Sequence, residues 1–130
     1  MKDTDTHTLP TKAPTLRVIP MPANTNAEGD IFGGWVLSQM DLAGASKAYE
    51  RVGQRIVTVG VDKMNFHRPI FVGDEVSFYT DIQRVGNTSI SIYVEVWAKH
   101  RLKTEHRLVA EGVYTFVALD MDRQPAKIRS

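Results

Sequence analysis

"GDIFGGWVLSQMDLAGA", residues 29–45, decides how the chain is read. Two glycines, Gly33 and Gly34, precede a run in which Leu37, Met40, Asp41, Gly44, Ala45 and Ala48 recur at i, i+3, i+4, i+7, i+8 and i+11. That is the spacing of one face of an α-helix, and it predicts a helix from Gly33 to about Glu50. The small residues Ala43, Gly44, Ala45 and Ala48 give this face a smooth surface suited to close packing on a sheet. Asp41 does not fit. It lies on the stripe expected to be buried, where an unpaired carboxylate is costly.

Upstream of the helix, residues 1–15 are polar and carry Pro10 and Pro14, the composition of a flexible tail. "LRVI" (16–19) reads as a short strand stopped by Pro20 and Pro22, and "PANTNAEGD" (22–30) as an ordered loop. Downstream, "IVTVGV" (56–61) is β-branched and nearly continuous, as in a strand covered on both faces. "FHRPIFVGDE" (66–75) reads as a bend, and "EVSFYTDIQRV" (75–85) alternates Val76, Phe78, Thr80 and Ile82. Gly86-Asn87 supplies a turn before the clearest alternation, Ile90, Ile92, Val94, Val96 and Ala98 against Ser89, Ser91, Tyr93, Glu95 and Trp97. A charged loop, "KHRLKTEHR" (99–107), leads to a last strand, "LVAEGVYTFVAL" (108–119), with 121–130 as a C-terminal tail. The order β-α-β-β-β-β predicts an α+β domain over residues 16–120, about five mostly antiparallel strands wrapped around one helix. This is the hotdog arrangement. Its open sheet edge implies pairing with a second copy.

At 130 residues the chain has the length of one domain. Sixteen Lys and Arg against fifteen Asp and Glu create no field that would draw it onto nucleic acid or an anionic membrane, so any anionic ligand must be held by a local cluster. The absence of cysteine excludes disulfides, thiolate zinc sites and a cysteine nucleophile, and fits a reducing compartment. "MKDTDTHTLPTKAPT" has no apolar core of a signal peptide or membrane span, which gives a cytoplasmic expectation and makes the Asn87-Thr88-Ser89 sequon a chance match.

For chemistry, the free N–H groups of a first helical turn attract an anion or a developing oxyanion, and Gly33-Gly34 lets a ligand approach them closely. The pair can equally serve only the turn. No Gly-Lys-Ser/Thr follows, so it is not a phosphate loop. Asp41 is either a carboxylate hydrogen-bonded or solvated at an interface, or a general base or nucleophile facing a cleft. Asn26 either caps its loop or fixes a water or a carbonyl through its amide. His7, His67, His100 and His106 show no metal-ligand spacing, so neither a metal site nor another cofactor is expected. Serine-nucleophile motifs are absent from the sequence.

"MPANTNAEGDIFGGWVLSQMDLAG", "VTVGVDKMNFHRPIFVGDEV", "RVGNTSISIYVEVW" and "GVYTFVALD" together resemble the bacterial YciA-type acyl-coenzyme A thioester hydrolases, hotdog proteins related to the mammalian cytosolic long-chain acyl-CoA hydrolase. The resemblance covers about residues 16–120. It implies that Asp41 is the catalytic carboxylate, that Asn26 is a second catalytic residue supplied by the opposite subunit of a dimer, and that dimers assemble as a trimer of dimers. It implies an oxyanion site at the Gly33 and Gly34 backbone. Phe32 stands where many relatives have His, which weakens a side-chain role there. Implied substrate contacts are Phe32, the strand around Thr58, Val59, Gly60 and Met64, and the turn Gly86, Asn87, Thr88 and Ser89. Candidate partners for coenzyme A phosphates are Lys63, Arg68, Arg84, Lys99 and Arg101.

With that resemblance, the expected function is hydrolysis of acyl-CoA, the stripe of Asp41 facing a cleft between subunits. The alternative from another class is a non-catalytic hotdog module that binds acyl-CoA as a sensor. It would need a fused DNA-binding segment, which residues 1–15 are too short and polar to be. A hotdog dehydratase would need a histidine at the site, and the helix and the loop before it have none.

Overall fold

The computed structural model describes residues 7–130. Its elements are β1 (Leu16–Val18), a 3-10 turn (Pro22–Asn24), α1 (Gly33–Val52), β2 (Arg55–Phe66), β3 (Asp74–Val85), β4 (Ser89–His100) and β5 (His106–Leu119). The helix runs two residues further than the periodicity predicts and ends where Gly53 takes a left-handed conformation (φ 69°), a turn that glycine makes without a Cβ penalty. No helix among the described residues is long and apolar enough to cross a membrane.

All five strands form one antiparallel sheet in the order β1-β3-β4-β5-β2. The alternation in β4 puts Ile90, Ile92, Val94, Val96 and Ala98 on the inner face, all fully buried. Val76 and Phe78 of β3 and Tyr114, Phe116 and Ala118 of β5 continue that layer, and Val36, Met40, Ala43 and Ala48 of α1 press onto it. Gly44 sets the distance: a Cβ there would lie 3.2 Å from the Phe116 ring, so a larger residue would lift the helix off the sheet.

Two expectations are corrected. "IVTVGV" is not covered on both faces within the chain. It lies in β2, the edge strand, with Val57, Val59 and Val61 exposed at 39, 57 and 46 %. A β-branched run on a bare edge is a surface prepared for another strand. Asp41 is not on the buried stripe either. The buried positions of α1 are Val36, Met40, Ala43, Gly44, Ala48 and Val52, and Leu37, Asp41 and Ala45 flank them half-buried. A carboxylate on that rim keeps part of its hydration.

Residues 1–6 of the expected N-terminal tail lie outside the described residues. Residues 7–12 run over the outer face of the sheet, where Leu9 packs on Tyr79, Trp97 and Leu108, Lys12 Nζ donates to the Thr80 carbonyl at 2.7 Å and His7 reaches Glu111, and residues 13–15 pass beside α1. Residues 121–130 fold back through the Leu119–Pro125 bridge and bury Ile128 in the main core. The charged loop is shorter than 99–107, because β4 continues to His100 and β5 starts at His106.

Candidate active site

The rim position of Asp41 opens onto a groove of about 620 Å³ between α1 and the edge strand. Gly34, Leu37 and Ser38 form its helical wall, Thr58, Val61 and Met64 its β2 wall, and Tyr114 of β5 its floor. Thr58 Oγ1 donates to Asp41 Oδ1 at 2.8 Å, which ties one carboxylate oxygen to the β2 wall; the other has no hydrogen bond among the described residues. Tyr114 Oη donates to the Leu37 carbonyl at 2.8 Å. Its phenol is pushed well above the ordinary tyrosine range, first by burial and then by the negative charge of Asp41, so it stays protonated as a donor.

Gly33 and Gly34 occupy the first turn of α1, whose leading N–H groups have no partner within the helix. Both are exposed, and a Cβ on Gly34 would meet nothing within 4 Å. Neither needs a left-handed conformation. The open space in front of the backbone is what glycine provides here. Phe32, the residue before them, is 52 % exposed and makes no side-chain cap.

Asn26 sits elsewhere. Its Oδ1 accepts from the Glu28 and Asp30 amides at 2.9 and 3.1 Å, so the side chain does cap its loop. That leaves Nδ2 without a hydrogen bond among the described residues, directed by a fixed acceptor side. Asn26 lines a second groove of about 340 Å³, with Gly33, Phe66 and Arg68, on the other side of the helix start. Within one protomer, then, Asn26 and Asp41 face different cavities.

The remaining sequence candidates divide in the same way. Thr58 and Met64 share the groove with Asp41, and Val59 and Gly60 lie beside them at a register shift in β2. Lys63 occupies a left-handed backbone position (φ 51°) at a second irregularity, which turns Met64 inward over Gly112. Gly86, Asn87, Thr88 and Ser89 form the β3–β4 turn, closed by Gly86 N–H to the Ser89 carbonyl at 2.7 Å, with Arg84 beside it. Ser89 lies opposite Val117 and Val117 opposite Val57, so the turn flanks the start of the edge strand two strands away. Arg68 donates to the Leu108 carbonyl at 3.2 Å on the wall of the Asn26 groove. Lys99 is at the far end of the sheet, paired with Glu75 at 3.4 Å and donating to carbonyls of the β4–β5 turn, and Arg101 lies over Gly73 in the same region. Arg84 and Lys99 are separated by nine residues along β3, from Arg84 to the Glu75 partner of Lys99, or roughly 30 Å. One coenzyme A phosphate cannot use both in one protomer.

Sequence reading missed Tyr114. Its signal was a hydroxyl among the inward positions Ala110, Gly112, Tyr114, Phe116 and Ala118, where the other side chains are apolar or absent. It also left the histidines apart. On the outer face, His67 Nε2 lies 2.7 Å and His7 Nε2 3.3 Å from the Glu111 carboxylate, and Tyr93 and Trp97 bind Glu95 directly opposite. Burial alone would raise the Glu111 carboxyl, but hydrogen bonding and charge from His67 and His7 outweigh it and hold the group below its usual range.

The family model described as "Thioesterase superfamily" matches residues 28–105. The acyl-CoA thioester hydrolase YciA of Escherichia coli is 44 % identical over 123 residues, covering 92 % of this chain and 93 % of that protein. Among solved structures, the hexameric thioesterase from Yersinia pestis superimposes with a TM-score of 0.88 at 45 % identity, covering 94 % of this chain and 99 % of that one. An acyl-CoA hydrolase from Staphylococcus aureus, solved with butyryl coenzyme A and coenzyme A, superimposes with a TM-score of 0.82 at 27 % identity, covering 88 % and 70 %.

Proposed function

The chain belongs to the thioesterase superfamily, and from that premise we propose that it hydrolyses acyl-coenzyme A to coenzyme A and a carboxylic acid with Asp41 as its base. The single observation that carries this reading is the Asp41 carboxylate, held at one oxygen by Thr58 on the wall of a groove that also takes in Gly34 of the first helical turn.

In the proposed reaction the thioester carbonyl oxygen sits at the Gly33/Gly34 amides. Asp41 takes a proton from water as the water oxygen bonds to the carbonyl carbon. The C–S bond then breaks, and the proton leaves with the thiol. Direct attack by the carboxylate on the same carbon uses the same placement. Removing one oxyanion donor typically costs ~10²–10³ in turnover, so the backbone contribution is large. The acyl chain would lie along Leu37, Val61 and Met64.

Asn26 enters from a second copy. The exposed valines of β2 would pair with the same strand of a partner, laying the Asn26 loop of the partner subunit across the Asp41 groove. With Oδ1 committed to its own loop, Asn26 would act as a donor through Nδ2, polarising the carbonyl or holding the water. The Yersinia pestis relative is hexameric, and a trimer of such dimers is the assembly proposed here. The catalytic domain is taken as residues 16–120. A cytoplasmic setting belongs to the same proposal and rests on the cysteine-free chain.

Release of free thiol from short- and long-chain acyl-coenzyme A tests the proposal. Wild type is expected to turn over at least one of them, and Asp41→Ala to lose that activity. Binding of acyl-CoA without hydrolysis by wild type would identify a sensor instead.

A further inference from the structure

Tyr114 is 1 % exposed and lies in the inner layer of β5, opposite Val61 of the edge strand. A buried phenol needs a hydrogen-bond partner, and the partner here is informative. The carbonyl that Tyr114 Oη meets at 2.8 Å belongs to Leu37, one helical turn before Asp41. In the α-helical ladder that carbonyl is the i−4 acceptor of the Asp41 amide. A carbonyl oxygen has two lone pairs and can serve both donors.

Two residues along β5, Phe116 faces Thr58, whose hydroxyl holds the Asp41 carboxylate. One turn further along α1, Gly44 rests on the Phe116 ring. The helix around Asp41 is therefore mounted at three points: the Leu37 backbone by Tyr114, the Asp41 carboxylate by Thr58 and, one turn on, Gly44 against the Phe116 ring. Without the phenol, only packing would set the height of Leu37 above the sheet, and the reach from Thr58 to Asp41 depends on that height.

Accordingly, we infer that Tyr114 is a positioning residue for the hydrolysis, holding the Leu37–Asp41 turn through the Leu37 carbonyl so that the carboxylate meets both Thr58 and the groove. This rests on the reading of Asp41 as the base. Tyr114 touches neither water nor thioester in this role.

The test replaces Tyr114 in the full-length protein with three side chains and measures kcat and KM for butyryl-coenzyme A together with the melting temperature. Tyr114→Phe removes only the hydroxyl. 4-Methylphenylalanine at 114 restores the lost volume without a donor, and 4-aminophenylalanine restores a donor. The expected result is a fall in kcat of about tenfold or more for Phe and for 4-methylphenylalanine, with KM within about twofold, and recovery of kcat with 4-aminophenylalanine; a 1 Å misplacement of a reacting group can cost about a hundredfold. Equal kcat for the methyl and amino variants overturns the inference, as does a loss that follows melting temperature or shifts kcat and KM together. If Tyr114→Phe does not fold, the methyl and amino pair decides alone. Asp41→Asn, run in the same assay, separates the two failures: full activity there removes the base itself, whereas an inactive Asp41→Asn beside unaffected Tyr114 variants removes only the positioning role.

Discussion

Thr58 Oγ1 donates to Asp41 Oδ1 across 2.8 Å, so the edge strand of the sheet holds a carboxylate of the central helix. The outermost strand of the sheet, bare at its edge within one chain, is thus the strand that holds the proposed base.

Thr58→Val keeps the shape and removes the hydroxyl. Because the pair is at the groove rather than in the core, the stability change should stay near the ~0.5–1.5 kcal/mol of an ordinary hydrogen bond. The carboxylate loses its fixed rotamer, and kcat is expected to fall about tenfold to a hundredfold. Thiol-release kinetics with thermal unfolding checks both halves; unchanged kcat would mean that Thr58 does not orient the base.

Gly44→Leu should fail through packing. Even its Cβ would stand 3.2 Å from the Phe116 ring and 3.6 Å from Val94, and the rest of the side chain has no room. Overpacking of this kind costs about 1–3 kcal/mol. Urea denaturation should show a lower midpoint, with activity falling as α1 shifts off its mounting. A midpoint equal to wild type would show that the helix can rise freely.

Val57→Lys combined with Val59→Lys places like charges on an edge that would pair with its own copy. Light scattering is expected to find a species smaller than the wild-type oligomer, and hydrolysis should fall with the loss of the shared site. An intact oligomer would put the subunit boundary on another surface.

Glu111 carries a pH dependence of known sign. Its carboxyl is held below 4.5 in the folded state by His67 and His7, against the upward push of burial. A depressed folded pKa contributes stability that is present above about pH 4.5 and is lost as pH falls through the lower folded value. Glu111→Gln should therefore be less stable than wild type at neutral pH, and the gap should narrow below pH 4.5. Equal acid-unfolding curves for the two proteins would remove Glu111 from acid stability.

Much of this was legible in the sequence, for identifiable reasons. Leu37, Met40, Gly44 and Ala48 announce the helix because 3.6-residue periodicity is local, and Ile90 to Ala98 announce β4 because alternation is local. Val57, Val59 and Val61 read as a strand covered on both faces because a β-branched run reports propensity for burial, while within one chain they lie on a bare edge. Periodicity puts Asp41 on the buried stripe because it assigns a face but not the boundary of that face, and the observed stripe is centred on Met40, Gly44 and Ala48. Tyr114 was hidden because an aromatic in a strand reads as core until the position of its hydroxyl is known. His7, His67 and Glu111 meet over separations of 104 and 44 residues, and no spacing rule reaches that far.

The most direct measurement of the central claim is subunit complementation. Asn26→Ala and Asp41→Ala chains, each expected to be inactive alone, are co-expressed in equal amounts and assayed for thiol release from acyl-coenzyme A. If each site joins Asp41 of one subunit to Asn26 of its partner, half of randomly formed dimers are mixed and each mixed dimer holds one site with both native residues, which restores about a quarter of wild-type turnover. Mixed assemblies with no more activity than the two variants measured separately would contradict a site shared between subunits.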